Sequence, residues 1–417
     1  MQASSGVLGL WQRTPLYLRI VGGMLLGLVL GLVLGDRAGV LALPSKLVLR
    51  MLGALAPALI LFAIIQALIT ASFERGTAGR LIRLLVLNTL VAIGIGLAVA
   101  NVLAPGSWSS QLRAPDPAAH AGGHGKGDLL GQFLDNVPQS MLGPLTDQGK
   151  VLSVILLALA FGLALRRNAD RPVHSAKEAV TLGLETLVII LHWVIELVPF
   201  AVLGLVASIV GTQGFGAFHA LLAFIVAVLV ALALQAAYYL TRIGIGSWVR
   251  PFQLLSQTRD ALLMAFSTGS STVTMPVTFE LLVRRVGLRE RSASLGALVG
   301  ANFNNDGTAL YEAMAALFVS QLLVAQGIGE PLSLGAQMLV VLTSVLASVG
   351  AAGIPEAGLV TMTLVFQAVH LPTEYIALLL PVDWFLDRCR TTINVMGDMN
   401  VSCMLDGKTR EGTPEGG

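Results

Sequence analysis

Charge is what this chain has least of. Only 12% of its 417 residues are Asp, Glu, Lys or Arg, roughly half the share found in soluble domains, so its surface cannot face water all round. The net charge of +2 also excludes a nucleic-acid partner. Cysteine is nearly missing: Cys389 and Cys403 both fall in the last apolar segment. That placement excludes an extracellular disulfide framework, suits small packed side chains and leaves the redox compartment open. No charged leader with a small-residue cleavage site precedes the first apolar run, so the N-terminus is read as retained. Hydrophobic residues fill the chain instead, at 55% with a mean hydropathy of +0.79. Runs at 16–35, 46–70, 84–104 and 178–210 are each long enough to cross the roughly 30 Å hydrocarbon layer as a helix. The composition therefore predicts an all-α polytopic membrane protein.

Basic clusters orient it, because Arg and Lys collect on the cytoplasmic side. Arg75, Arg80 and Arg83 follow the second span; Arg166, Arg167, Arg171 and Lys177 the fourth; Arg242, Arg250 and Arg259 the sixth. Residues 105–140, 211–216 and 326–335 are nearly free of basic residues and are assigned outside, which puts both termini inside. Arg284, Arg285, Arg289 and Arg291 form one more inside cluster, and residues 260–283 separate it from another inside loop. An apolar segment with both ends on one side must dip in and return. It is therefore predicted to be a re-entrant hairpin with its tip near the small, hydroxylated STGSSTVTMP. The same reasoning from residue 336 to 370, where ASVGAAGIPEAGL interrupts an apolar run, predicts a second hairpin entered from the other face. Each hairpin is followed by a span with a polar break, NFNNDGT and then TTINVMGD. Eight transmembrane helices with two opposed hairpins form the pattern of an inverted repeat. His120 and His124 in AHAGGHGKGD lack a further ligand set and are read as part of a loose external loop; GKTREGTPEGG reads as a disordered tail.

Polar side chains at the centre of a bilayer cost on the order of 3 kcal/mol each, so a group of them needs a ligand or a mutual partner. In VDWFLDRCRTTINVMGD, Asp383, Asp387, Arg390, Asn394 and Asp398 recur at helical spacing within an arc of roughly 80°, with Thr391 beside it and Arg388 on another face. A ladder of ion pairs between helices is one reading. The other is a site: one guanidinium among three carboxylates leaves surplus negative charge for a cation, and the guanidinium suits two-point capture of a carboxylate. That second reading requires the charged groups to face a shared pocket rather than one another. NFNNDGT supplies carbonyls, amides and Asp306 where Gly300 and Gly307 permit unwinding, a setting for a hard monovalent cation. Half-helix ends at SSTVT and ASVGAAG bring further backbone groups to the same depth.

GANFNNDGTALYEAMAALFVSQ, ASVGAAGIPEAGLVTMTLVF and VDWFLDRCRTTINVMGD closely resemble the signature segments of the glutamate transporter (dicarboxylate/amino acid:cation symporter) family, specifically from about residue 260 to 400. The resemblance implies a homotrimer in the multi-pass plasma (cell inner) membrane, with an elevator-type transport domain. Residues 1–80 become scaffold spans one and two, 81–104 the transport domain's third span, 105–140 an external loop and 141–212 scaffold spans four and five. Residues 213–404 become the transport domain and 405–417 a cytoplasmic tail. It further implies an acidic amino acid substrate, glutamate or aspartate. Its amine would go to Asp387, its side-chain carboxylate to Arg390 and its main carboxylate to Thr391 and Asn394, with Ser270, Ser271, Thr308, Ile354 and Gly358 around it. Sodium ions are implied at Asp398 and Asn394 with the backbone at Gly300 and Asn304, and at the backbone of Asn302, Ser348, Val349 and Ala351, with Asp306, Asn88 and Thr89 as further metal ligands. Glu312 matches a proton-carrying glutamate, and potassium return remains open.

Departures from the family matter. Asn305 stands where the family has methionine, and the third span offers Leu85 and Asn88–Thr89 in place of a tyrosine and a threonine–serine pair. An altered sodium stoichiometry, or a proton-driven carrier of the same substrate, stays open on these grounds. An ion channel is the alternative from another class. An intramembrane aspartyl pair of Asp306 and Asp398 would need a shared proton, which neighbouring Arg390 would suppress; no enzyme activity and no organic cofactor are expected.

Overall fold

The computed structural model describes residues 14–70, 78–108, 112, 140–141, 143, 160–161, 164, 173–328, 330–350 and 357–409. His120, His124, most of the external loop, most of the fourth span, Ala351, Ile354 and the end of the C-terminal tail lie outside them. Among the described residues there is no strand, as the apolar runs require. Five helical stretches are long and apolar enough to cross a membrane: Leu16–Leu59, Gly79–Trp108, Ala176–Gln213, Phe218–Gly246 and Asp306–Ala325.

The first helices are α1 (Leu16–Leu34), α2 (Leu43–Thr70) and α3 (Ala78–Leu103). The run at 178–210, expected as one span, is two helices, α4 (Ala176–Ile195) and α5 (Val198–Gln213). The break at Glu196–Leu197 has a cause: Pro199 has no N–H to continue the ladder and sits at the tolerated start of α5, while Arg19 Nη2 holds Glu196 Oε1 at 3.2 Å. Along α1, Gly23, Gly27 and Gly31 face α5 so closely that a Cβ on Gly27 would lie 3.1 Å from Val206 Cβ. Backbone approach of this kind is how apolar helices gain packing contact in lipid.

Next come α6 (Phe218–Gly246) and a helix–turn–helix of α7 (Pro251–Thr268) and α8 (Ser271–Leu281), which pack on each other. The turn falls inside the predicted tip. Gly269 takes the left-handed conformation at φ 64°, open to glycine without a Cβ penalty, and the Ser270 side chain caps α8 by accepting from Val273 N at 3.3 Å. After α8 the backbone runs through a wide helical turn at Ser294–Val299 and a tight one at Gly300–Asn302. It then leaves helical geometry at Phe303 (φ −130°) and Asn305 (φ −118°, ψ 51°) before α9 (Asp306–Ala325) starts. This is the predicted break: Asn side chains compete with the backbone for hydrogen bonds and favour helix boundaries. α9 is buried on nearly every face, as its all-round apolar pattern demands.

α10 (Leu334–Gly350) and α11 (Ala357–Ala368) pack on each other, on α9 and on α2; the predicted second tip between them is not among the described residues. The last helix, α12 (Leu380–Asp406), packs against α6, α7, α8 and α9. Here the expectation of a second polar break is corrected, because α12 runs unbroken through TTINVMGD. Its polar side chains are met by neighbours or bond back to their own helix, as Ser402 Oγ does to the Asp398 carbonyl at 2.8 Å, so no backbone group has to be released.

Candidate functional site

α12 carries the centre of the site. Arg390 is fully buried, Asp383 is buried and Asp387 is half-buried. Arg390 Nη2 donates to Asp387 Oδ1 at 2.7 Å, and Nη1 lies 3.1 Å from Asp383 Oδ1. The guanidinium thus engages carboxylates of its own helix. This corrects the expectation that the charges face a pocket rather than each other: three- and seven-residue spacings place the side chains on one stripe, and a guanidinium buried without a counter-charge would cost several kcal/mol. The pairing is incomplete, however. The Asp383 contact is out of line for a hydrogen bond, and Arg390 Nε and Nη1 have no hydrogen-bond acceptor. The guanidinium carbon sits 4.0 Å from the centroid of the Tyr311 ring on α9, which fixes its plane.

The α7–α8 turn and the start of α11 both reach this pair. A Cβ on Gly269, at the first turn, would lie 3.2 Å from Asp387 Oδ2; one on Gly358, at the start of α11, would lie 2.9 Å from Arg390 Nη2 and 3.0 Å from Nη1. Ser270 and the buried Ser271 flank the first of these contacts. Thr308 and Thr391 are buried on α9 and α12. Asn394 is committed to the break, accepting from Gly307 N at 2.8 Å and donating to Asn305 Oδ1 at 3.1 Å. α9 thus begins directly against the α12 backbone, where a Cβ on Gly307 would meet the Arg390 carbonyl at 2.7 Å.

The predicted cation ligands separate into two groups. In one, Asn304 Nδ2 donates to Asp398 Oδ1 at 2.9 Å and to the Asn394 carbonyl at 3.2 Å, while Asn304 Oδ1 is buried without a partner. The Gly300 carbonyl accepts from Phe303 N and Asn304 N; Asn302 belongs to the same tight turn, and Ser348 and Val349 to the last turn of α10. In the other group, Asp306 is fully buried and accepts from Thr89 Oγ1 at 2.6 Å and from the Tyr239 hydroxyl. Leu85 lies in an apolar cluster with Val401 and Leu405, and Asn88 is buried beside Asn400. Glu312 is fully buried on α9; its Oε1 accepts from Thr361 Oγ1 of α11 and its Oε2 has no partner.

Sequence reasoning missed Tyr239 and misplaced Arg242, read as a loop arginine. Arg242 lies inside α6 and donates to Asn88 Oδ1. A signal was present: Gln235, Tyr239 and Arg242 sit at positions i, i+4 and i+7 of an otherwise apolar span, one helix face. A cavity of about 210 Å³ between α2, α11 and the 373–377 segment, lined by Lys46, Arg50, Thr363, Gln367 and Glu374 among others, contains none of the predicted site residues.

The profile of the sodium:dicarboxylate symporter family matches residues 16–408. The chain is 29% identical over 437 residues to glt-4 of Caenorhabditis elegans, by name a sodium-dependent excitatory amino acid transporter, covering 90% of this chain and 84% of that one. It is 34% identical over 287 residues to excitatory amino acid transporter 1 of Homo sapiens (65% of this chain, 52% of that one) and 37% identical over 252 residues to excitatory amino acid transporter 4 of Mus musculus (59% and 44%). The chain thus spans about half the length of those two mammalian relatives.

Proposed function

The chain belongs to the sodium:dicarboxylate symporter family, and on that premise we propose that it imports an acidic amino acid, glutamate or aspartate, coupled to sodium and to a proton. The observation that carries this reading is the convergence of Gly269 and Gly358, one from each hairpin, on the Asp387–Arg390 pair. A zwitterion with a second carboxylate complements that pair: its ammonium takes the place of the guanidinium at Asp387, and its carboxylate takes the Nε and Nη1 donors that lack acceptors, a planar two-point match. Ser270, Ser271, Thr308 and Thr391 supply hydroxyls around the ligand, and Ile354 belongs to the same proposed set. Ligand and protein then exchange one buried ion pair for two, and the ligand's main carboxylate is left to the neutral donors of Thr391 and Asn394.

Sodium is cargo here. The residues at Asp398 fit a hard monovalent ion, since a buried carboxylate lies beside an unpartnered amide oxygen on Asn304 and the Asn394 carbonyl. The proposal assigns Asn302, Ser348, Val349 and Ala351 to a second ion through their backbone oxygens, and the coupled proton to Glu312. Glu312 hydrogen-bonds Thr361 of the second hairpin, so a proton there would be sensed by the lid. The rest of the reading is proposed with it: a homotrimer in the plasma (cell inner) membrane, both termini cytoplasmic, the scaffold and transport domains bounded as above, and elevator movement with α10–α11 as the lid. A proton-driven, sodium-independent carrier is the second reading, favoured by the apolar packing of Leu85.

Uptake into proteoliposomes, with sodium, proton and potassium gradients imposed one at a time, tests both. Glutamate or aspartate accumulation driven by inward sodium and enhanced by inward protons is the expected result. Accumulation that persists when choline replaces sodium would move the conclusion to the second reading, and currents without accumulation would replace both with a channel.

A further inference from the structure

A guanidinium reaches into the wall of the second predicted cation group. Arg242 is half-buried on α6. Its Nη1 donates to Asn88 Oδ1 and lies 3.3 Å from the Tyr238 hydroxyl, with the guanidinium carbon 5.9 Å from that ring's centroid. Asn88 is fully buried and is held from two further sides: its Nδ2 meets Asn400 Oδ1 at 3.4 Å, and its carbonyl meets Gln235 Nε2 at 3.5 Å. The next residue on α3, Thr89, and the residue beside Tyr238 on α6, Tyr239, are the two donors to Asp306. The chain therefore fastens Arg242 and Asp306 to the same two dipeptides, Asn88–Thr89 and Tyr238–Tyr239.

We propose that the Arg242 guanidinium is a built-in counter-cation for Asp306, so that this carboxylate takes no sodium and the chain couples to one cation fewer than its oxygen-rich polar break would allow. Three features support this. Each Asp306 oxygen already accepts from a hydroxyl, so an ion there would compete with two existing hydrogen bonds. Leu85, one turn before Thr89 on α3, offers carbon rather than oxygen and packs with Val401 and Leu405. A mobile cation entering here would meet a guanidinium fastened to the residues next to Asp306's two donors, whereas the Asp398 group has an unpartnered oxygen and no arginine among its hydrogen-bond partners. The tether also explains why Asn88 is suited to its position: its amide oxygen accepts the guanidinium while its amide nitrogen donates onward to α12.

The inference rests on the sodium-coupled reading above but is tested separately from it. Sodium bound per chain is measured by equilibrium dialysis with radioactive sodium on the purified full chain in nanodiscs, without amino acid. Arg242→Gln should bind one more sodium ion than wild type, and the gain should disappear in Arg242→Gln/Asp306→Asn. Asp306→Asn alone should bind the same number as wild type. An unchanged count in Arg242→Gln, or the loss of an ion in Asp306→Asn, would overturn the proposal; the second variant decides the matter if the first does not fold. A wild-type count of zero would remove the sodium reading while leaving the gain in Arg242→Gln as the test of the tether.

Discussion

Arg390 has more hydrogen-bond donors than its own helix can satisfy. Asp387 takes Nη2, Asp383 neutralises charge at 3.1 Å without a well-aligned bond, and Nε and Nη1 lack acceptors although the side chain is fully buried. Ion pairing within α12 therefore lowers the burial penalty of this residue without satisfying its geometry, and a planar carboxylate supplies what is missing. Replacing Arg390 with Ala removes those donors and also leaves Asp383 and Asp387 without their cation. Truncating one partner of a buried charge pair costs about 3 kcal/mol or more. Glutamate and aspartate binding should thus weaken more than a hundredfold in Arg390→Ala, with binding of a neutral amino acid retained, as read by calorimetry on the purified protein. Arg390→Lys, which keeps the charge but not the fork, should recover stability more than affinity. Unchanged glutamate affinity in Arg390→Ala would remove the residue from the site.

At the scale of elements, the site depends on where helices stop. The turn between α7 and α8 is held by Gly269 at φ 64° with its amide bonded to the Ala265 carbonyl at 2.9 Å. A side chain in that conformation costs about 1–2 kcal/mol. Here its Cβ would also press on Asp387 Oδ2 at 3.2 Å. Gly269→Ala should lower unfolding stability by about that amount and weaken substrate binding together with it, whereas a change in neither, in thermal melts and binding titrations, would mean the turn adapts freely. This turn was legible in the sequence because parity of the basic clusters required a return and STGSS was the one stretch able to make it. The break before α9 was legible for a similar reason, since Gly300 and consecutive asparagines weaken a helix locally. The unbroken α12 was not: polar density in TTINVMGD looks the same whether the backbone unwinds or the side chains find partners on neighbouring helices, and only tertiary packing decides. The split of 178–210 was hidden because Pro199 at a helix start and Pro199 inside a span read alike without Glu196's partner. Arg242 was misread because an arginine near a span's end marks the cytoplasmic side in the usual case, and its long stem can instead carry charge inward.

Across the whole molecule, buried acid exceeds buried base. Among the described residues Asp306, Glu312, Asp383, Asp398 and Asp406 are buried, against Arg390 as the buried base; Asp406 is paired with Arg289 near the end of α12. A carboxylate out of water must be paired, protonated or bound to a cation. Arg390 answers for the Asp383–Asp387 stripe and Arg242 is proposed for Asp306, which leaves Asp398 and Glu312. Asp398 lies among oxygens and is assigned the mobile cation; Glu312 faces a hydroxyl and is assigned the proton. If so, sodium binds the folded chain and not the unfolded one, and it must stabilise the fold by mass action, by about 2.7 kcal/mol at a hundredfold excess over its dissociation constant. Thermal unfolding in sodium chloride should therefore occur at higher temperature than in choline chloride of equal ionic strength. Asp398→Asn should reduce that difference by the share of one ion, leaving that of the second proposed ion, and Asp306→Asn should leave it unreduced. Equal melting in the two salts for the native chain would show that no sodium site is completed by the fold, and a sodium-dependent rise undiminished in Asp398→Asn would mean that no ion sits beside Asn304.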